Sequence, residues 1–275
     1  MVKRVLVVLG GSPLYPSAIR RAVELAKRGS GTVTAVVWAD REIRHASIES
    51  SSSAGEAANA LDNSPLGFNQ QRYAQMLSEF RSACEAAHVE YRVVENGHNP
   101  VDMVASHWRY HDLVVFGMRG LFDYGLVEDG EATVVDMIRS GVRPILAVTK
   151  DFKSIRRVLI GYSGSMESAK AMKRYIQMGL WPEASIGIAT CGADEGKCRQ
   201  LLEDAAEYCH SYSVEPELIY RKEPAAEGLA AAADELRADM VVVGDSFRST
   251  WVQRTLGRTT LQLLRQDKRE LMLWH

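Results

Sequence analysis

The chain has 275 residues, 46% of them apolar, with 33 lysines and arginines against 35 aspartates and glutamates; this length suits two domains, each able to bury its own core. Charge divides evenly, 16 basic and 17 acidic side chains up to residue 150 and 17 and 18 beyond it, so neither half has the charge of a nucleic-acid-binding domain. No apolar run reaches the roughly 18 residues of a membrane span, no signal-peptide pattern follows Met1-Val2-Lys3-Arg4, and four cysteines without a CxxC pair do not make a disulfide scaffold; a cytoplasmic location is expected.

Val5 to Leu9 is a short, almost wholly apolar run, the pattern of a strand buried on both faces. Pro16 suits the first turn of a helix whose apolar stripe is Ile19, Ala22, Val23, Leu25 and Ala26. Thr32 to Trp38 is a β-branched second strand. Residues 40–66 are polar, include Ser50-Ser51-Ser52-Ser53 and keep no apolar period, so they read as a long loop or flap. A helix over Tyr73 to Ala87, a strand over Tyr91 to Glu95, a helix over Val101 to Trp108 and a strand over Leu113 to Gly117 follow. Glu131 to Ser140 is a last helix, and Pro144 to Thr149 a fifth strand. A second series then runs through strands at Val158 to Tyr162, Ser185 to Cys191, Glu217 to Tyr220, Met240 to Gly244 and Leu271 to Trp274. Helices at Ser168 to Met178, Lys197 to Tyr212, Ala225 to Leu236 and Thr255 to Leu264 alternate with them.

The two series are copies. Arg4-Val5-Leu6-Val7 matches Arg157-Val158-Leu159-Ile160 and Gly11-Ser12 matches Gly164-Ser165, at an offset of 153. Asp112-Leu113-Val114-Val115-Phe116-Gly117 matches Asp239-Met240-Val241-Val242-Val243-Gly244 at an offset of 127, so the first copy holds 26 more residues between these landmarks, and the 40–66 segment accounts for them. The expected architecture is α/β: two tandem flavodoxin-like, Rossmann-like units, each a five-stranded parallel sheet with helices on both faces. They span 1–150 and 151–275.

In such sheets ligands lie beyond the carboxyl ends of the strands. The loop after strand one is Gly10-Gly11-Ser12-Pro13 in the first copy and Ser163-Gly164-Ser165 in the second. The loop after strand four runs from Gly117 through Gly120 to Gly130 in the first copy, and from Gly244 to Gly257 in the second. Glycines let a backbone approach a phosphate, and a helix N-terminus supplies N–H groups; the same glycines also serve simply to permit turns.

These motifs resemble the universal stress protein (UspA-like) family, and the duplication resembles its tandem members. The family's nucleotide-binding members carry Gly-x2-Gly-x9-Gly-Ser/Thr after strand four and an Asp-Gly-Ser-like turn after strand one. Gly117, Gly120 and Gly130 keep the glycine spacing, and Arg143-Pro144-Ile145-Leu146-Ala147-Val148 matches the closing strand. The resemblance implies a stress-response regulatory or binding protein with ATP or AMP as ligand. It also implies an intramolecular pseudo-dimer through the last strands, Ile145 to Thr149 and Leu271 to Trp274, and allows a homodimer. The copies depart from the pattern differently. Gly10 and Ser163 stand at the aspartate position. In the first copy Glu131 replaces the Ser/Thr, with Thr133 two residues on, and Met118 to Glu131 sums to −3. In the second copy Phe247 and Arg258 replace the second glycine and the Ser/Thr, Thr259 and Thr260 follow, and Asp245 to Thr260 sums to +2. Carboxylates repel phosphate and arginines attract it, so the nucleotide is expected in the second cleft if in either. The candidate residues there are Ser163, Gly164, Ser165, Gly244, Gly257, Arg258, Thr259 and Thr260; those of the first are Gly117, Gly120, Gly130 and Thr133.

No metal site is expected from His98, His107 and His111, which have no cysteine or carboxylate at zinc-ligand spacing. Cys191 and Cys198 read as unpaired thiols, with a thiol switch as the alternative. Neither Gly-x-Ser-x-Gly nor GxxxxGK[ST] occurs, so catalysis is expected to amount at most to slow ATP hydrolysis. A nucleotide-free structural or protein-interaction scaffold of the same fold is the alternative function, and an adenylating enzyme a third.

Overall fold

A computed structural model of the chain describes residues 1–10, 12–38, 70–94, 100–117, 133, 137, 142, 144–244, 258–265 and 268–274. The 40–66 segment lies outside the described residues, as do Gly11, the glycine loops at 118–132 and 245–257, and the predicted helix at 131–140 apart from Thr133 and Met137. The chain forms two compact units, Val2–Val142 and Arg143–His275.

The first unit contains β1 (Arg4–Gly10), α1 (Tyr15–Gly29), β2 (Thr32–Trp38), α2 (Gln70–Ala87), β3 (Glu90–Val94), α3 (Pro100–Trp108) and β4 (Leu113–Phe116). Its strands run parallel in the order β3-β2-β1-β4. β1 is central, and Val5, Leu6, Val7 and Leu9 have no exposed surface; each such side chain contributes about 1.5–3 kcal/mol on burial. α1 starts with Pro16 in its first turn, buries Ala18, Ile19, Ala22, Leu25 and Ala26, and stops where Ser30 turns left-handed at φ 48°.

The second unit contains β5 (Ile145–Ala147), β6 (Arg157–Gly161), α4 (Met166–Met178), β7 (Ser185–Cys191), α5 (Glu195–His210), β8 (Glu217–Arg221), α6 (Ala225–Glu235), β9 (Met240–Gly244), α7 (Arg258–Arg265) and β10 (Glu270–Trp274). Five of its strands are parallel in the order β10-β9-β6-β7-β8. α4 and α5 carry the chain one way across this sheet, and α6 and α7 carry it back. Right-handed crossovers therefore place the two pairs on opposite faces. No helix among the described residues is long and apolar enough to cross a membrane.

The repeat extends to individual hydrogen bonds. Asp112 Oδ2 accepts from the amides of Lys3 and Arg4 at 2.8 and 2.9 Å, and Asp239 Oδ2 accepts from those of Arg156 and Arg157 at the same distances. The Asp112 amide donates to the Arg4 carbonyl at 2.9 Å, and the Asp239 amide to that of Arg157 at 2.8 Å. The aspartate before strand four thus fixes the start of strand one in both copies. β5, the fifth strand of the first repeat, falls in the second compact unit. It pairs antiparallel with β10, setting Ala147 opposite Leu271 and Ile145 opposite Leu273.

Candidate functional site

In the second unit the chain reverses its direction of travel at the neighbours β6 and β9, and the residues at their carboxyl ends come together. Gly164 takes φ +75°, a conformation costly for any side chain. A Cβ there would lie 2.7 Å from a methyl of Leu201 on α5. Gly244, ending β9, lies under the first turn of α4. A Cβ would sit 2.3 Å from the Glu167 carbonyl and 2.5 Å from the Ser168 nitrogen. That close approach explains why the fourth strand ends in glycine.

The hydroxyls of this turn form one network. Ser165 caps α4, its Oγ accepting from the Ser168 amide at 3.2 Å. Ser168, 3% exposed, donates its hydroxyl to the Ser165 carbonyl at 2.9 Å and accepts from the Ser163 amide at 3.2 Å. Ser163 Oγ lies 3.2 Å from Ser165 Oγ and 3.3 Å from Ser168 Oγ. Ser163 and Gly164 are exposed and Ser165 is half-buried. Thr190, on β7, holds the turn from below by donating to the Tyr162 carbonyl at 2.8 Å. Burial, then the Asp204 carboxylate, raises the Tyr162 phenol pKa. Sequence reasoning missed Ser168 and Thr190; the Ser165-x-x-Ser168 spacing carries the signal for the former.

The equivalent corner of the first unit is filled. Leu14 is 2% exposed and Ser12 4% exposed. A Cβ on Gly117 would be 2.7 Å from Leu14 Cβ and 3.4 Å from Ser12 Oγ. Ser12 Oγ accepts from the Leu14 amide at 3.4 Å, and α1 has no side-chain cap. By the repeat offset Leu14 corresponds to Glu167, so the first copy places an apolar side chain where the second has a charged one.

The structure places the remaining candidates separately. Gly120, Gly130 and Gly257 lie outside the described residues, as does the side chain of Arg258, which opens α7. Thr259 is half-buried in α7 and Thr260 is 2% exposed. Thr133 is half-buried. Among the described residues no group of three or more His, Cys, Asp or Glu is placed to hold a metal. His111 serves the fold instead, with Nδ1 2.6 Å from the His107 carbonyl and Nε2 2.9 Å from Thr34 Oγ1. A carbonyl only accepts, so Nδ1 carries the proton and Nε2 accepts from the threonine. Burial, reinforced by Arg4, lowers the His111 pKa.

The four cysteines are free. Burial pushes the Cys84 thiol up to about 12 and those of Cys191 and Cys209 to about 11. Cys191 Sγ lies where a Cβ on Gly228 of α6 would come within 2.7 Å, whereas Cys198 Sγ approaches the Cβ direction of Gly192, at 3.1 Å. Cys191 Sγ thus lies against α6 while Cys198 sits on α5, and both thiols are free. Trp181 is buried as a packing anchor, and the Arg174 guanidinium lies 6.0 Å over the Trp274 ring.

Comparison with known proteins agrees with this architecture. The chain is 23% identical to a universal stress protein of Synechocystis sp. over 287 aligned positions, covering 96% of this chain and 97% of that one. The solved structure of a universal stress protein from Archaeoglobus fulgidus matches with a TM-score of 0.67 at 14% identity, covering 98% of this chain and 97% of its own. A protein from Pseudomonas aeruginosa matches with a TM-score of 0.61 at 15% identity, covering 99% and 92%. At such identities these structures speak to the fold. Residues 1–128 match the model of the universal stress protein family, so that stretch of the chain carries a domain of this family.

Proposed function

We propose that this is a cytoplasmic stress-response regulatory protein that binds an adenine nucleotide, ATP or AMP, in its second unit, and that the first unit has lost this capacity. One observation carries the reading: at the same topological position the second unit exposes a Ser163-Gly164-Ser165 turn over Gly244, and the first buries Leu14 and Ser12 over Gly117. The turn offers hydroxyls and backbone amides at a helix N-terminus, groups that suit ribose and phosphate oxygens. Arg258, opening α7, supplies positive charge after the glycine loop. The test is calorimetric titration of ATP and AMP into the full chain. Arg258→Glu is expected to weaken binding about tenfold or more, as loss and reversal of a charge-assisted contact would; an unchanged dissociation constant contradicts the role of Arg258.

A second reading has its own support. The Ser163, Ser165 and Ser168 hydroxyls already satisfy one another, as a ligand-free scaffold would require. Absence of heat with every adenine nucleotide would favour it.

A further inference from the structure

We propose that Met166 is a site of oxidation by hydroperoxides at the rim of the second unit's turn, and that its sulfoxide loosens that turn. Apart from the N-terminal Met1, 82% exposed, Met166 is the most exposed methionine among the described residues at 68%, whereas Met76, Met103, Met137, Met172, Met240 and Met272 are at most 6% exposed and Met178 is half-buried. It holds the first position of α4, between Ser165, which caps the helix, and Glu167, whose carbonyl lies against Gly244. The corresponding residue of the first copy is Pro13, which has no sulfur, so at this position of the turn the oxidisable group belongs to the second copy.

In the reaction the thioether lone pair attacks one peroxide oxygen. The O–O bond breaks, an S–O bond forms, and the second oxygen leaves as water or alcohol after taking the remaining proton. Sulfur loses two electrons and the peroxide gains them. A flexible apolar tip becomes a polar acceptor, next to Ser163 and Ser165 hydroxyls that bond to each other, to the Ser168 hydroxyl and to the local backbone. A new acceptor competes for those hydroxyls and for the first-turn amides, which lack helical partners. Methionine sulfoxide reductase reverses the change.

The full chain is treated with dilute hydrogen peroxide while its circular dichroism stays native, and peptides are followed by mass. Met166 is expected to gain one oxygen about tenfold faster than Met172 and Met178 on the same helix. Amide exchange over Ser163 to Ser168 should rise about threefold, in the oxidised protein and in untreated Met166→Gln, and peroxide-treated Met166→Leu should keep the untreated rate. Equal oxidation rates along α4 overturn the site, and unchanged exchange in both the oxidised protein and Met166→Gln overturns its effect on the turn. Neither readout uses a nucleotide, so the proposed ligand stands or falls separately.

Discussion

Gly244 shows how one missing atom positions the candidate site. Its backbone lies where a Cβ would meet the Glu167–Ser168 peptide at 2.3 to 2.5 Å, and peptide atoms cannot rotate aside as a side-chain tip can. Gly244→Ala is therefore expected to cost about 2–3 kcal/mol, measured by chemical denaturation, with α4 displaced; a stable variant with unaltered exchange at Ser168 would refute this. His111 gives a second expectation. Its folded pKa is lowered, so the unfolded chain binds protons more readily near the ordinary histidine pKa of about 6.5. The stability that its neutral form contributes is fully present above that pH and declines as pH falls through it. Denaturation between pH 8 and pH 5 should show this slope in the wild type and a shallower one in His111→Gln. Equal slopes would exclude His111 as its source.

At the scale of elements, the repeated aspartate clamps tie strand four to strand one. Each carboxylate oxygen accepts two backbone amides, bonds to a charged group that are individually worth more than neutral ones. Asp112→Ala and Asp239→Ala should each cost about 1–3 kcal/mol, each in its own unit, with local exchange rising around Lys3 in the first and Arg156 in the second. A loss felt equally in both units would argue against two separate clamps. The strand boundaries were well marked in the sequence where β-branched runs meet turn residues: Thr32–Trp38, Ser185–Cys191 and Met240–Gly244 stand as read. α4 begins at Met166, two residues before the apolar stripe, because Ser165 caps it; apolar periodicity does not register a cap. The pairing of β5 with β10 was not legible from periodicity at all, since an apolar run records that a strand is covered and not by which neighbour.

For the whole molecule, duplication supplied two corners of one design, and they have diverged. The sequence disclosed part of this divergence as charge, −3 against +2 in the loops after strand four. It did not disclose that Leu14 would close the first corner, because a leucine beside a turn is equally compatible with either face. Entry of a nucleotide into the second unit and not the first is tested most directly by amide hydrogen exchange of the full chain with and without ATP or AMP. Bound ligand should slow exchange over Ser163 to Ser168 and leave Ser12 to Ala18 unchanged. Protection at Ser12 to Ala18, or none in either segment at saturating nucleotide, would contradict it.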